Sequence, residues 1–190
     1  MNLKCSVYIA SSLDGYIAKT DGDIEWLHNP EYGSMGEGGL SYDAYISGID
    51  ALVMGRHSFE KVLTFDLWPY ENTPVIVLSS KKIKIPEYLK DKVLVESGEP
   101  VEVVKKLVAE GMHHLYIDGG KTIQRFLKDH LIHEITITQI PVLLGDGIPL
   151  FGKTGNEIQL KLLESTQFKN GFVQLRYEVL PKLSDMSKQY

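Results

Sequence analysis

Cysteine is almost missing from this chain: Cys5 is the single one among 190 residues. One thiol cannot close an internal disulfide, so the fold must rest on its apolar core, and a reducing compartment is expected. Cys5 lies in the apolar run Cys5-Ser6-Val7-Tyr8-Ile9-Ala10, where a buried structural thiol is expected. The zinc-deaminase signature, H-x-E followed by P-C-x-x-C, is out of reach for the same reason. No His/Cys/Asp cluster has metal-ligand spacing, so no metal is expected. Positive charge is not in excess either: 20 Lys and Arg against 25 Asp and Glu leave a net charge of −5. No block of five basic residues offers a footprint for a phosphate backbone, and no nucleic-acid partner is expected. No apolar run reaches membrane-spanning length, and the polar N-terminus lacks the form of a signal peptide. The expectation is a cytoplasmic protein without a membrane partner. Internal repeats and low-complexity tracts are absent as well.

What is present is an ordinary apolar fraction, 43%, enough for one sizeable core. A single domain is expected over 1–181, with a polar, frayed tail over 182–190. Short apolar runs alternate with helical patterns, which predicts an α/β sheet. Strands are expected at Lys4–Ala10, Ala51–Met54, Val75–Leu78, Val93–Val95, Leu115–Ile117, Glu134–Val142, Gln159–Phe168 and Phe172–Leu180. Helices are expected at Leu40–Ser47, His57–Leu63, Pro100–Glu110 and Thr122–Lys128. In the third of these, Val101, Val104, Leu107 and Val108 recur at helical spacing, and Gly111 stands where a C-terminal stop belongs. Asn170-Gly171 between two alternating runs is a strong hairpin signal. The order predicts a mixed sheet, mostly parallel, with an antiparallel C-terminal hairpin.

Three segments place anion-friendly groups just past a strand. Val53-Met54-Gly55-Arg56-His57-Ser58 reads as strand, glycine turn and helix start, with free N–H groups and a guanidinium suited to phosphate. Val75-Ile76-Val77-Leu78-Ser79-Ser80-Lys81-Lys82 reads as a buried strand ending in hydroxyls and ammoniums, a match for a terminal phosphate or a plain solvated turn. Leu115-Tyr116-Ile117-Asp118-Gly119-Gly120-Lys121-Thr122 runs from a strand through two glycines into a helix. It lacks the G-x-G-x-x-G spacing of an ordinary dinucleotide fingerprint. In an open α/β sheet such ends can meet at one ligand edge, as a multiply charged dinucleotide requires. The stretch Thr20–Gly39, with five glycines and one proline, is either a lid over that edge or a surface excursion pinned by Trp26.

Together these segments resemble the dihydrofolate reductase superfamily. The resemblance rests on Met54-Gly55-Arg56-His57-Ser58-Phe59-Glu60, Leu78-Ser79-Ser80 and Gly119-Gly120-Lys121-Thr122-Ile123-Gln124, and on Ala10-Ser11-Ser12-Leu13-Asp14-Gly15-Tyr16-Ile17-Ala18. Ser12-Leu13-Asp14-Gly15-Tyr16-Ile17-Ala18 and Pro141-Val142-Leu143-Leu144-Gly145-Asp146-Gly147-Ile148-Pro149-Leu150-Phe151 look like one branch, the reductase domain of the bacterial riboflavin-pathway deaminase–reductase. The resemblance implies a dihydrofolate-reductase-like mixed sheet with helices on both faces, and NADPH along its carboxyl edge. It implies cofactor contacts from Gly55, Arg56, His57 and Ser58; from Leu78, Ser79, Ser80 and Lys81; from Asp118, Gly119, Gly120, Lys121, Thr122 and Ile123; and from the backbone of Ala10 and Ile17. It also implies a cis peptide between the two glycines and, by analogy, a homodimer, with Pro141–Phe151 as a dimer surface or a pocket wall.

The implied chemistry is hydride transfer to a C=O or C=N carbon of a small heterocyclic or sugar-amine substrate, of the kind a 5-amino-6-(5-phosphoribosylamino)uracil reductase takes. A proton must also reach that substrate. True dihydrofolate reductases carry an acid near the start of the helix before Met54-Gly55-Arg56. Here the position falls on Ser41, with Asp43 two residues away, and no arginine stands ready for a folate tail. Asp14 is the first choice for an active-site carboxylate, with Asp43 and Ser41 behind it, although Asp-Gly is also a common turn pair. His57 is expected as a helix-start contact, and His113 and His114 as solvated loop residues. A divergent dihydrofolate reductase and a non-catalytic NADP-binding protein are the alternative readings.

Overall fold

The computed structural model describes residues 3–70 and 72–181; the expected tail over 182–190 lies outside the described residues. The strands are β1 (Lys4–Ser12), β2 (Tyr16–Ala18), β3 (Ala51–Gly55), β4 (Val75–Leu78), β5 (Val93–Glu96), β6 (His114–Asp118), β7 (Glu134–Ile140), β8 (Ile148–Pro149), β9 (Leu160–Gln167) and β10 (Val173–Val179). The helices are α1 (Tyr42–Ile46), α2 (Arg56–Val62), α3 (Pro100–Ala109) and α4 (Gly120–Lys128). Eight strands form one sheet in the order β5-β4-β3-β6-β1-β7-β10-β9. The pairs from β5 to β7 are all parallel, and β10 runs antiparallel to both β7 and β9. The architecture is therefore the mostly parallel mixed sheet with a closing hairpin that the resemblance implies.

Alternation along the strands sorts the core into two faces. Ala51, Val53, Leu115 and Ile117 point to one side, where Val103, Val104 and Leu107 of α3 and Ile123, Phe126 and Leu127 of α4 cover them. Leu52, Met54, Val75, Val77 and Tyr116 point to the other, beneath Tyr45 of α1 and Phe59 and Val62 of α2. Cys5 is fully buried in the first cluster, and burial pushes its thiol up to about 12. The buried stripe of α3 is Pro100, Val103, Val104 and Leu107, while Val101 is exposed, so the stripe drawn through Val101 sits a step off. Gly111 does stop α3: its N–H reaches the Val108 carbonyl and the Met112 N–H reaches that of Leu107, the double bond of a Schellman motif.

Other boundaries differ for visible reasons. The first helix begins at Tyr42, because the Ser41 hydroxyl accepts from the Ala44 N–H and caps it. β7 ends at Ile140, because Pro141 has no N–H to give the ladder. His114 is part of β6 and half-buried, its Nε2 2.9 Å from the Ser6 hydroxyl, so it is no solvated loop residue. β2 and β8 add a short ribbon that the sequence pattern does not predict. Tyr16 stands opposite Pro149 and Ala18 opposite Ile148, a pairing too brief for periodicity to announce.

The sheet departs from regularity at one place, between β1 and β6. These strands pair only through Ser6 and Tyr116, whereas β1 stays paired with β7 as far as Ser12. Beyond Ser6 the sheet forks. The Tyr116 hydroxyl bridges the opening by donating to the Tyr8 carbonyl at 2.7 Å. Strands to one side of the fork lead away through β3, β4 and β5, and those on the other through β7 and the hairpin. Such a switch in direction leaves a crevice at the carboxyl ends of the strands, where ligands of open α/β sheets bind.

Candidate active site

A groove of about 1280 Å³ runs along that carboxyl edge. It is larger than the roughly 300–1,000 Å³ of ordinary small-molecule sites, and an extended dinucleotide has room in it. The three strand-end segments all open onto it. So do Ala10 and Ile17, and of the cofactor residues named from sequence only Ile123 is not in its wall. The Ile123 side chain is fully buried in the core and its N–H is bonded to the Gly119 carbonyl at 2.9 Å.

Each segment is shaped by a local device. At the end of β3, Gly55 stands across from Thr122, whose Oγ1 would lie 3.1 Å from a Cβ at that position. Arg56 opens α2 with its guanidinium donating to Glu60 at 2.7 Å and to the His57 Nε2 at 2.8 Å, which lays the side chain along the groove wall. After β4, the Ser79 hydroxyl accepts from the Lys81 N–H and donates to its carbonyl. That turn orders the backbone and directs Lys81 to the groove. After β6, Gly119 adopts φ 85° and ψ 135°, and no side chain caps the nine-residue α4 behind it, so the first N–H groups of that helix remain for a ligand. A Cβ on Gly119 would lie 2.3 Å from the Ser58 Oγ, and one on Gly120 2.8 Å from the Pro149 carbonyl oxygen. The peptide between these glycines is trans, since there is no cis peptide among the described residues; the cis bond implied by the resemblance is not found.

The three residues named as catalytic lie outside the groove wall. Asp14 is the knot of another contact. Its carboxylate accepts from the Ser12 hydroxyl at 2.5 Å, the Leu144 N–H at 3.2 Å and the Gly145 N–H at 2.8 Å. The Ser12 bond and then these backbone donors hold it below the usual carboxylate range, so it stays ionised and fastens the Pro141–Phe151 segment to the β1–β2 turn. Ser41 is occupied as the cap of α1, and Asp43 is exposed in the first turn of that helix. Asp118 behaves differently. It ends β6 beside the fork and is only partly exposed, and desolvation pushes its carboxyl up to about 6 against the opposing bond from the Gly119 N–H.

The Thr20–Gly39 stretch contributes Thr20, Asp21, Gly22, Ile24 and Leu27 to the groove. Its middle is pinned by Trp26, buried with Ile140, Phe168 and Phe172, and by the edge contact of Tyr32 on Phe172. Both sequence readings of the stretch therefore hold a part: it walls the groove and it is anchored. Ile148, presented by the β2–β8 ribbon, lines the groove, while Leu143 and Phe151 of the same segment are exposed. Sequence reasoning missed Tyr70, Phe65 and the Ser97–Glu99 turn, which complete the wall. Ser97-Gly98-Glu99 follows β5 as the other segments follow their strands, so the same strand-end rule could have found it. Tyr70 carried no local signal.

Comparison with known proteins bears on the same segments. The family model described as the RibD C-terminal domain matches residues 4–174. The uncharacterized protein YwjB of Bacillus subtilis is 37% identical over 181 residues, covering 93% of this chain and 98% of that protein. A crystal structure from Shewanella sp. PV-4, described as a candidate riboflavin biosynthesis protein, superposes with a TM-score of 0.87 at 39% identity, over 94% of this chain and 100% of that one. The diaminohydroxyphosphoribosylaminopyrimidine deaminase/5-amino-6-(5-phosphoribosylamino)uracil reductase of Thermotoga maritima shares the fold, with a TM-score of 0.68 at 16% identity, over 94% of this chain and 57% of that one.

Proposed function

The chain belongs to the RibD C-terminal domain family, and from that membership and the geometry of the groove we propose that it is an NADPH-dependent reductase of a small C=O or C=N substrate. The observation that carries the reading is convergence: the turns after β3, β4 and β6, far apart in sequence, line one groove beside the fork in the sheet. Its donor set suits a multiply charged dinucleotide. Arg56, Lys81 and Lys121 supply positive charge; Ser58, Ser79, Ser80 and Thr122 supply hydroxyls; the start of α4 supplies N–H groups. Bound NADPH would provide the hydride. The protein's part is to hold the nicotinamide against Ala10, Ile17 and Gly120, to keep water from the reacting carbon with Ile24, Leu27 and Ile148, and to supply a proton. Lys81, whose ammonium is in none of the ion pairs among the described residues, is suited to the 2′-phosphate that separates NADPH from NADH.

The substrate we favour is 5-amino-6-(5-phosphoribosylamino)uracil or a relative of it, by family membership. The positions of Ser41 and Asp43 outside the groove wall weigh against dihydrofolate. The test is a titration of intrinsic fluorescence with NADPH and NADH, followed by cofactor oxidation with 5-amino-6-(5-phosphoribosylamino)uracil and with dihydrofolate. Trp68 packs on Tyr70, a groove residue, and Leu27 beside Trp26 lines the groove, so both indoles can report. Saturable NADPH binding with turnover of the pyrimidine supports the reading. Saturable binding without turnover of any carbonyl or imine would favour the non-catalytic alternative, and no binding would overturn the cofactor assignment.

A further inference from the structure

Resting on that reading of the groove, we propose that Tyr70 is the residue that selects the substrate. Its phenol O–H donates to a ring carbonyl of a planar heterocycle, and molecules without an acceptor at that place are refused. Five tyrosines, Tyr8, Tyr42, Tyr45, Tyr70 and Tyr116, belong to the core cluster beneath α1 and α2 or pack against it. Three of their hydroxyls are engaged within the protein. Tyr8 donates to the Leu40 carbonyl at 2.9 Å, Tyr45 shares a hydrogen bond with the Ser6 Oγ at 2.9 Å, and Tyr116 donates to the Tyr8 carbonyl at 2.7 Å. The hydroxyls of Tyr42 and Tyr70 take part in no hydrogen bond among the described residues. Of these two, Tyr70 lines the groove and Tyr42 does not.

The residue is held firmly although it lies outside any helix or strand, in the connection from α2 to β4. Its backbone carbonyl accepts from the Trp68 indole N–H at 3.2 Å and from the Thr73 N–H at 3.4 Å. The Trp68 ring meets the Tyr70 ring edge-on, with centroids 5.3 Å apart. Trp68 stands edge-on in turn to Phe59, a fully buried residue of α2, at 6.1 Å. The phenol is therefore carried by the core, and its ring is in place before a ligand arrives. Such preorganisation lowers the ordering cost of binding.

What the hydroxyl can do follows from its surroundings. Burial raises the Tyr70 phenol far above its ordinary value, and the Asp118 charge of β6 and the Tyr42 phenol of α1 push the same way. The group keeps its proton, so it acts as a neutral donor and not as an acid. A desolvated hydroxyl without a partner is unfavourable. A ligand that brings an acceptor removes that cost, and a ligand without one leaves it standing. This asymmetry gives a polar site far more discrimination than an apolar wall can supply. The other groups on the wall narrow the class of ligand. Phe65 comes from the same connection, is exposed and lines the groove, as do Ile24 and Leu27 of the opposing stretch. A neutral donor among such side chains suits an uncharged carbonyl on a flat ring, and the uracil ring of the favoured substrate carries two.

The test compares the wild type with Tyr70→Phe, which removes the hydroxyl alone, and with Tyr70→Leu, which removes the ring as well. The hydroxyl has no partner in the protein to lose, so Tyr70→Phe is expected to melt at or above the wild-type temperature. A fall of several degrees would show the hydroxyl held by the protein itself and would overturn the proposal. With NADPH and 5-amino-6-(5-phosphoribosylamino)uracil, Tyr70→Phe should lower kcat/KM at least about tenfold, chiefly through KM, with NADPH affinity within about threefold of the wild type. Tyr70→Leu should lose more. The contact is also read without turnover, by ¹³C NMR of the tyrosine ζ carbons. The Tyr70 resonance, assigned by its absence from Tyr70→Phe, should move when uracil is added to the free or the NADP⁺-bound protein. Uracil should bind Tyr70→Phe at least about tenfold more weakly. A Tyr70 resonance that stays in place in both forms overturns the proposal, whether or not the pyrimidine is reduced. So does a Tyr70→Phe variant with the wild-type kcat/KM. Either failure with NADPH still bound leaves the cofactor reading standing; if the wild type does not bind NADPH that reading falls, and the uracil titration of the free protein still decides the role of Tyr70.

Discussion

At Gly119 the backbone holds φ 85°, and a Cβ there would press into the Ser58 hydroxyl. Two costs add on substitution: a conformation in the glycine-only region, about 1–3 kcal/mol, and displacement of Ser58 from the groove. Gly119→Ala is expected to destabilise the protein by about that amount in urea unfolding and to weaken NADPH by an order of magnitude. Adding Ser58→Ala should relieve the contact but not the backbone strain, so the double variant should recover only part of the lost stability. Lys81 makes a separable prediction. Lys81→Ala should weaken NADPH about tenfold, roughly 1.4 kcal/mol, and leave NADH unchanged, as read by the same fluorescence titration. Equal weakening of both would mean that Lys81 faces a phosphate common to the two. Asp14 belongs to a different class. Removing its charge, Asp14→Asn, should loosen the Leu144–Gly145 turn, visible as faster amide exchange there, and leave the pH profile of turnover intact.

Among the elements, the segment entering α1 depends on one buried amide. The Gln174 Oε1 accepts from the Leu40 N–H at 2.7 Å, and its Nε2 donates to the Leu40 carbonyl at 3.0 Å. β10 thus offers a side chain in place of a strand neighbour, and Tyr8 completes the set by donating to the same carbonyl at 2.9 Å. Gln174→Leu keeps the volume and leaves the Leu40 N–H without its acceptor. The expected loss is about 1–3 kcal/mol in denaturant unfolding, with hydrogen exchange rising at Leu40 and along the end of the Thr20–Gly39 stretch. If exchange rises uniformly instead, the clamp acts on global stability alone. The β2–β8 ribbon is tied down in a comparable way by another side-chain amide. The Gln124 amide of α4 donates to the Pro149 and Leu150 carbonyls, which ties the wall residue Ile148 to the helix behind the two glycines.

For the molecule as a whole, the titratable groups displaced from their ordinary values give opposing dependences of stability on pH. Asp118 has its folded pKa raised to about 6. Its contribution is fully present below the ordinary carboxylate value, about 4, and is lost as pH rises through about 6. His114 and His133 have theirs lowered, chiefly by burial. They contribute stability above about 6.5 that is lost as pH falls through the folded values. Asp14 and Asp50, lowered by hydrogen bonds, act in the same sense at more acid pH. In a difference between Asp118→Asn and the wild type the other groups cancel. The melting-temperature difference should therefore climb in favour of the variant between about pH 4 and pH 6 and level off above. A flat difference would show that Asp118 is solvated and ordinary.

Much of this protein is legible over a few residues at a time. The continuous apolar run Val75–Leu78, the Asn170-Gly171 turn, the Gly111 stop and the apolar surroundings of Cys5 are local signals, and each produced the element it announced. The three phosphate-like turns were legible for the same reason, since a glycine or hydroxyl just past a strand acts through its own backbone. What the chain could not disclose locally is which distant ends meet. The strand order β5-β4-β3-β6-β1-β7-β10-β9 makes neighbours of residues 55 and 119 and opens the fork at Tyr116. It sends Asp14 to a turn and Ile123 to the core, and it surrounds Asp118 with tyrosines from two other segments. Desolvation and hydrogen-bond partnership are properties of those neighbours, so the sequence by itself determined the strand-end turns and the type of sheet, while the tertiary structure alone decided which carboxyl could keep a proton.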